Sequence, residues 1–498
     1  MVQHTQMHIG EVDVARSVLD PTSRDAIPQI LRGLPHLYQD PDTRATLFQL
    51  LEAEMAPQID TRTGRPGMTR WSIGVCGVIR LDLNLDYDRL HALVTQHNTL
   101  RQMLGHGLFD PASYHDQTLK DTVTLFTPEL RDTINQIVVD AGHGLVKKKD
   151  GDVLRGRCDA FVGETDVQDP TDIGLLFDAA RKVIELSARL AAEQGLPDGR
   201  QHADNVTHLN RHLRAAQSAT RSTARHDAQK EKNDARVIEA HQTDLDVAQG
   251  YLDKAQETLA KAAACGGGHI EHLAAKIEIE TFMQHAVRPI DQTRRRVILG
   301  ETIPHAEKVF SVFQSHTEWL SKGKAGVPVE LGVRVCIMED PHRFVRHHRG
   351  MEKQTDDQVT VAMVKETKER FANLDACSVD KGFHSLANQQ ELQAHLTLVA
   401  LPRKGTLSQP AQAVARAEDF VKARRQHSAV ESALNALEVH GLARCPDQGM
   451  HGFTRDVALA VVARNIQRIG ALLREQENRR ATRKTRDADR DSPHKLAA

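Results

Sequence analysis

The chain has 498 residues, of which 40% are apolar, 4% aromatic and 27% charged. That length allows roughly two to four domains, and the mixture suits a helix-rich protein with at least one sizeable core. The formal charge of −2 excludes a global basic field, and the longest apolar run, Val457–Ala463, is too short to cross a bilayer. The N-terminus has no charged-then-apolar signal pattern, and the six cysteines form no CxxC pair. Reduced thiols and a cytoplasmic location, with no membrane partner, are therefore expected. Cys445 and His451 lack a second ligand pair at zinc spacing.

In chain order, residues 10–60 read as short helices, and Thr61–Gly67 reads as a loop by composition. A helix is expected through Trp71–Leu81, and Asp86 is placed to cap the next one, which carries Leu90, Leu93 and Val94. Residues 1–145 are thus expected to form an N-terminal helical domain for DNA binding or dimerisation. Arg157–Val167 is extended in character and stops at Asp169-Pro170-Thr171-Asp172. From 173 to 300 the pattern turns helical. Val206, Leu209, Leu213 and Ala216 follow helical spacing, and Ile238, Leu245, Leu252 and Leu259 recur every seven residues up to Gly266–Gly268. That seam predicts an inserted arm of paired helices, which is ordinary packing and carries no activity of its own.

Strand signals resume at Val309–Phe313, Val329–Ile337 and Arg343–His347, and a helix is expected from Asp356 to Phe371. A strand ending at Asp380, a short helix, a strand at Leu396–Leu401 and one long helix over Arg424–Glu438 follow. The expected class is mixed, helix-rich α/β, with a sheet covered by helices. The order of elements matches a ribonuclease H-like core over 150–172 and 301–440. A C-terminal helix (441–475) and a charged tail (476–498) complete the chain.

Three acids stand where such a core would bring them together: Asp159 within the first strand, Asp380 at a strand end and Glu431 inside the long helix. Asp166, seven residues from Asp159, must point to the opposite face and adjoins a turn, so Asp159 is preferred. Carboxylates suit Mg²⁺, which takes oxygen ligands, and two such ions activate an attacking oxygen and stabilise a leaving one in phosphodiester chemistry. With 67 Asp and Glu in the chain, a trio alone means little; its placement carries the weight. His427, Arg424, Arg425 and Lys381 are the local candidates for DNA phosphate contacts. Elsewhere basic residues cluster at Lys147–Lys149, at Arg294–Arg296 and in eight Lys or Arg from Arg474 onward. Such clusters more often mark a solvated face than a phosphate site.

The chain resembles bacterial insertion-sequence transposases of the DDE type, in particular the ISNCY group. The resemblance runs through Gly64-Arg-Pro-Gly67, Asp86-Tyr-Asp-Arg-Leu90, Arg157-Cys-Asp159-Ala-Phe-Val, His316-Thr-Glu-Trp, Ser321-Lys-Gly-Lys324 and Val379-Asp380-Lys-Gly-Phe-His-Ser385. It closes with Leu401-Pro-Arg-Lys-Gly405, Arg425-Gln-His-Ser-Ala-Val-Glu431 and Val457–Asn465, and so spans about residues 60–475. Gly163 departs from it, standing where a valine is usual, as does Gln168-Asp169 in place of His-Tyr. The resemblance implies Asp159, Asp380 and Glu431 as catalytic and metal-binding residues. Asp159 would bridge two Mg²⁺ ions (or Mn²⁺ in their place), Asp380 would hold one and Glu431 the other. It further implies double-stranded DNA as partner, both element ends and target, a homodimer or higher assembly on that DNA, and a bacterial, nucleoid-associated location. The alternatives from the residues are a structure-specific nuclease of the same fold, which cuts without joining, and an inactive DNA-binding or assembly descendant.

Overall fold

The computed structural model describes residues 12–17, 19–20, 26–55, 68–107, 110–111, 113–123, 127–146, 154–167, 169–222, 227–265, 270–321 and 329–490. The Gly64–Gly67 motif, Lys147–Lys149, Gln168, Gly266–Gly268 and residues 322–324 lie outside them. The chain divides into two compact units, one formed by Met1–Asp166 and Lys324–Ala498, the other by Val167–Gly323.

The first unit opens with eight helices: α1 (Ala26–Leu31), α2 (Gly33–Gln39), α3 (Pro41–Met55), α4 (Arg70–Asp82), α5 (Tyr87–Gln96), α6 (Asn98–Met103), α7 (Asp116–Val123) and α8 (Pro128–Gly144). Asp86 does cap α5, its carboxylate accepting the Arg89 N–H at 2.7 Å. These helices do not form a domain of their own, as the sequence predicts for 1–145. Leu31, Ile73, Leu90 and Val139 share one apolar cluster with Val335 and Val345 of the strands and with Val461 of the last helix. The reason lies in α4, which is buried without interruption from Val75 to Asp82. A helix buried on all sides needs cover from other elements on all sides.

Five strands of this unit form a mixed sheet. They are β1 (Leu154–Glu164), β3 (Val329–Glu339), β4 (Val345–Met351), β5 (Leu374–Val379) and β6 (Leu398–Ala400), with β2 (Glu318–Ser321) lying in the second unit. Their order is β4–β3–β1–β5–β6. β1 runs antiparallel to β3 and β3 to β4, whereas β5 runs parallel to β1 and β6 to β5. Parallel neighbours need crossover segments, supplied here by α13 (Asp356–Arg370) before β5 and α14 (Leu386–His395) before β6. Helices α15 (Gln409–Arg416), α16 (Glu418–His427), α17 (Val430–Leu437) and α18 (Gly449–Arg490) complete the unit. α18 runs through most of the stretch read as a tail from 476, because no Gly or Pro interrupts it between Gly470 and Pro493.

The departure at Gly163 has a packing cause. A Cβ there would lie 2.8 Å from Cζ of Phe453, a ring that is fully buried. Phe453 of α18 fills the space that a valine would need. Gly163→Val is therefore expected to cost about 1–3 kcal/mol through overpacking and to shift the urea midpoint down. An unchanged midpoint would mean that β1 and α18 separate at no cost.

The second unit is a helical bundle of α9 (Asp172–Glu193), α10 (His202–Thr220), α11 (Asp227–Ala264) and α12 (Ile270–Thr293), the last followed by a π-helical turn, Arg294–Ile298. Leu245, Leu252 and Leu259 are buried along the heptad seam, as are Ala248 and Ala255, while Ile238 at its outer end is exposed. The unit extends beyond the 173–300 segment expected from the seam and takes in 301–323 as well. Val309–Phe313 is not a strand. Its Val309 and Val312 pack on the helical core instead, so their apolar character serves side-chain packing and not a ladder.

Candidate functional site

Asp159 stands in the middle of β1, opposite Ile337 of β3. On its other side the parallel ladder pairs Arg157 with Ser378 and Cys158 with Val379. Asp159 and Asp380 are therefore next in register on adjacent strands, which lie about 4.8 Å apart in any sheet. β5 ends there because Lys381–Phe383 turns as a 3₁₀ helix that drives Phe383 into the core. Asp166 lies past the end of β1 and forms an ion pair with Arg444 at 2.6 Å. It belongs to another part of the surface.

Glu431 is near enough for its charge to act on Asp159, but its setting differs from the sequence reading. It is exposed and sits in the first turn of α17, not inward and mid-helix. The long helix expected over Arg424–Glu438 is two helices, α16 and α17, broken at Ser428-Ala429. At the break the Ser428 hydroxyl donates to the Arg425 carbonyl at 3.1 Å, and the Ala429 N–H turns back to the Gln426 carbonyl. A serine bonding to local backbone competes with helix continuation in this way.

A fourth acid, Asp356, belongs to the group. It is the first residue of α13; its charge acts on Asp159, and the charge of Asp380 acts on it. Gly382 makes the approach possible, since a Cβ there would lie 3.0 Å from Asp356 Oδ2. In the sequence Asp356-Asp357 reads only as an ordinary acidic helix start. No residue pattern marks the fact that α13 begins beside the end of β5.

The electrostatics follow from this crowding. Burial is the main cause that pushes the Asp159 carboxyl up to about 6; the Ala160 N–H, 2.8 Å from Oδ1, opposes it, and the charges of Asp380, Asp356 and Glu431 add to it. Asp356 is also raised, first by burial, with Arg334 opposing and Asp357 and Asp380 adding. His427 is half-buried, and burial holds its imidazole below the ordinary value although Asp380 pulls the other way. Its Nδ1 pairs with the Ser378 hydroxyl at 3.2 Å, and its Nε2 is shielded without a partner. That hydrogen bond ties α16 to β5. Lys381, Arg424 and Arg425 are exposed. Lys404, whose Nζ donates to the Gly382 carbonyl at 3.1 Å, joins them as a cation within electrostatic reach of Asp356.

These donors fit a hard divalent cation. They are carboxylates only, they repel one another, and Asp356 Oδ1 is shielded without a hydrogen bond, its nearest cation being Arg334 at 3.9 Å. As they stand, no three His, Cys, Asp or Glu side chains among the described residues are gathered closely enough to hold one ion. Asp380 and Glu431 are both exposed, and among the described residues neither side chain is tied by a hydrogen bond or ion pair. Cys445, weighed above as a zinc ligand, instead has its thiol 3.3 Å from Asp456 Oδ2 in the core. The cysteines are free, and Cys158 and Cys336 lie 3.3 Å apart behind Asp159. Compared with known proteins, the chain matches no family model, no curated protein and no solved structure.

Proposed function

We propose that this chain is a DDE transposase that cleaves DNA at the ends of its element and joins the freed 3′-hydroxyl to target DNA. The reading rests above all on one observation: Asp159 of β1 and Asp380, the residue that follows β5, come directly after the last ladder pair of two parallel neighbouring strands, within reach of the charge of Glu431. The sheet order adds support. With β2 set aside, it runs third, second, first, fourth, fifth, with the first three strands antiparallel and the last two parallel to the first, as a ribonuclease H-like core requires.

In this reading Asp159, Asp380 and Glu431 would hold the Mg²⁺ ions, and Asp356 would contribute its field. Bound Mg²⁺, or Mn²⁺ in its place, supplies charge neutralisation at the phosphate and activation of the attacking oxygen. Lys381, Lys404, Arg424 and Arg425 set the approach of the DNA backbone, and His427 orients Ser378 beside the acids.

The test supplies pre-cleaved element ends with a free 3′-hydroxyl, a supercoiled plasmid and Mg²⁺. Joined products are expected with the unaltered protein. Asp380→Ala and Glu431→Ala should lose them by at least about 10³-fold while end binding in a mobility shift is nearly kept. A preparation that cuts ends but never joins pre-cleaved ones would make the protein a nuclease, and one that binds ends without either step would make it an assembly factor.

A further inference from the structure

The second unit carries a pocket that the carboxylate chemistry does not use. It has a volume of about 190 Å³ and is lined by Thr171 and Asp172 at the start of α9, Arg221, His241, Thr293 and Arg296. Its lining holds two arginines and three threonines, with Asp172 as its acid and Ile173 and Val297 as its apolar side chains.

Two features of its wall are costly as they stand. Thr293 is fully buried, and its hydroxyl has no hydrogen-bond partner. Shielding such a group from water costs about 1–3 kcal/mol. Directly after Thr293 the chain leaves α-helical geometry for the π-helical turn Arg294–Ile298, which carries Arg296 to the pocket. Turns of this kind are rare and concentrate where a site needs them. The first turn of α9, a helix of 22 residues, adds the positive end of its dipole. Its N-cap, Thr171, has its hydroxyl committed to the Gly174 N–H at 3.1 Å.

Nearby basic residues are otherwise engaged. Arg295 is shared among Glu301, Glu307 and Asp291. Arg296 makes an ion pair with Asp172 at 2.8 Å and its side chain stays half exposed. The exposed Arg221 stands across the pocket from no acid other than Asp172 among the lining residues.

We propose that this pocket binds a phosphate group, held by Arg296 and Arg221 and accepting a hydrogen bond from the Thr293 hydroxyl. A phosphate oxygen is the acceptor that Thr293 lacks, and guanidinium groups match phosphate geometry. The group can come from free phosphate or from a DNA backbone, and the two sources are separable.

The experiment uses the full-length protein and titrates inorganic phosphate against its thermal midpoint at constant ionic strength. The midpoint should rise with phosphate, and Arg296→Gln and Thr293→Val should each weaken the apparent affinity by tenfold or more. Thr293→Val should leave the phosphate-free midpoint unchanged or higher, since it removes an unsatisfied hydroxyl; a merely structural threonine would lower it. Asp172→Asn should strengthen phosphate binding by removing a repelling charge. In the second arm a short duplex without element ends is titrated over a range of salt. If the pocket takes a backbone phosphate, Arg296→Gln flattens the slope of log K against log salt by about 0.9. If it takes free phosphate, duplex binding is unchanged while the phosphate-dependent midpoint persists. No phosphate dependence together with an unaltered slope overturns the proposal, as does a phosphate shift that both variants retain in full.

Discussion

Asp159→Asn is expected to abolish cleavage and joining by at least about 10³-fold and, at about pH 7.5, to make the metal-free protein more stable. The loss follows from removing the acid that lies between Asp380, Asp356 and Glu431. The gain follows from the same crowding. Burial, with three neighbouring carboxylates adding to it, pushes the Asp159 carboxyl up to about 6 from a usual 3.8. Ionising it within the fold therefore costs free energy. That cost begins as the pH rises past the unfolded value, is complete above the folded one, and is absent at lower pH. An Asn carries no charge at any pH, so the variant should exceed the parent above about pH 6, and the advantage should fade as the pH falls towards 4. For a half-buried group the difference is about 1–2 kcal/mol. Thermal midpoints of both proteins across that range provide the check. An Asn variant less stable than its parent at about pH 7.5 would show that Asp159 is satisfied in the metal-free fold, and the crowding argument would fail.

Asp340→Ala should be the most damaging single change to the fold of the first unit, at about 3–5 kcal/mol. Asp340 is fully buried just past β3 and accepts hydrogen bonds from His143 Nε2 at 2.7 Å, Arg346 Nε at 2.8 Å and the Phe344 N–H at 3.1 Å. One carboxylate thus joins α8, the β3–β4 hairpin and β4. Burial alone would raise its pKa, but the His143 hydrogen bond and the Arg346 charge outweigh it and hold it below the usual value. This contribution is present at neutral pH and is lost as the pH falls through that lowered value. Truncation leaves a buried guanidinium without its counter-charge. Urea unfolding followed by far-UV circular dichroism should show a markedly lower midpoint, with Asp340→Asn falling between. A loss below about 1 kcal/mol would mean that solvent reaches Arg346.

The acids of the strands were legible because a strand has one simple period. Asp159 and Asp166 cannot share a face, and a parallel neighbour ending at Asp380 has one natural partner. The helix carrying Glu431 was less legible. Residues 424–438 are helix formers throughout, and what breaks the run at Ser428-Ala429 is a side chain turning onto its own backbone, which composition does not record. Val309–Phe313 has the residues of a strand, but those residues equally suit packing on a helical core, and only the partner decides. Asp356 and Asp340 were invisible for a related reason. Each is defined by what distant segments bring to it, Gly382 and Asp380 in one case, His143 and Arg346 in the other. The N-terminal helices read as a separate domain because amphipathicity does not say whose apolar face lies opposite.

The register of Asp159 and Asp380 gives the candidate site a stiff half and a soft half. Asp159 is held within β1, and Asp380 directly follows the last ladder pair, Cys158 with Val379, so their spacing follows closely that of β1 and β5. Glu431 follows a two-residue break, on a helix of eight residues whose outer face is exposed. Short helices with few buried contacts open at lower free energy than central strands. Warming should therefore release the third acid well before the sheet melts, so that catalysis would fade over a temperature range where circular dichroism still reports an intact fold.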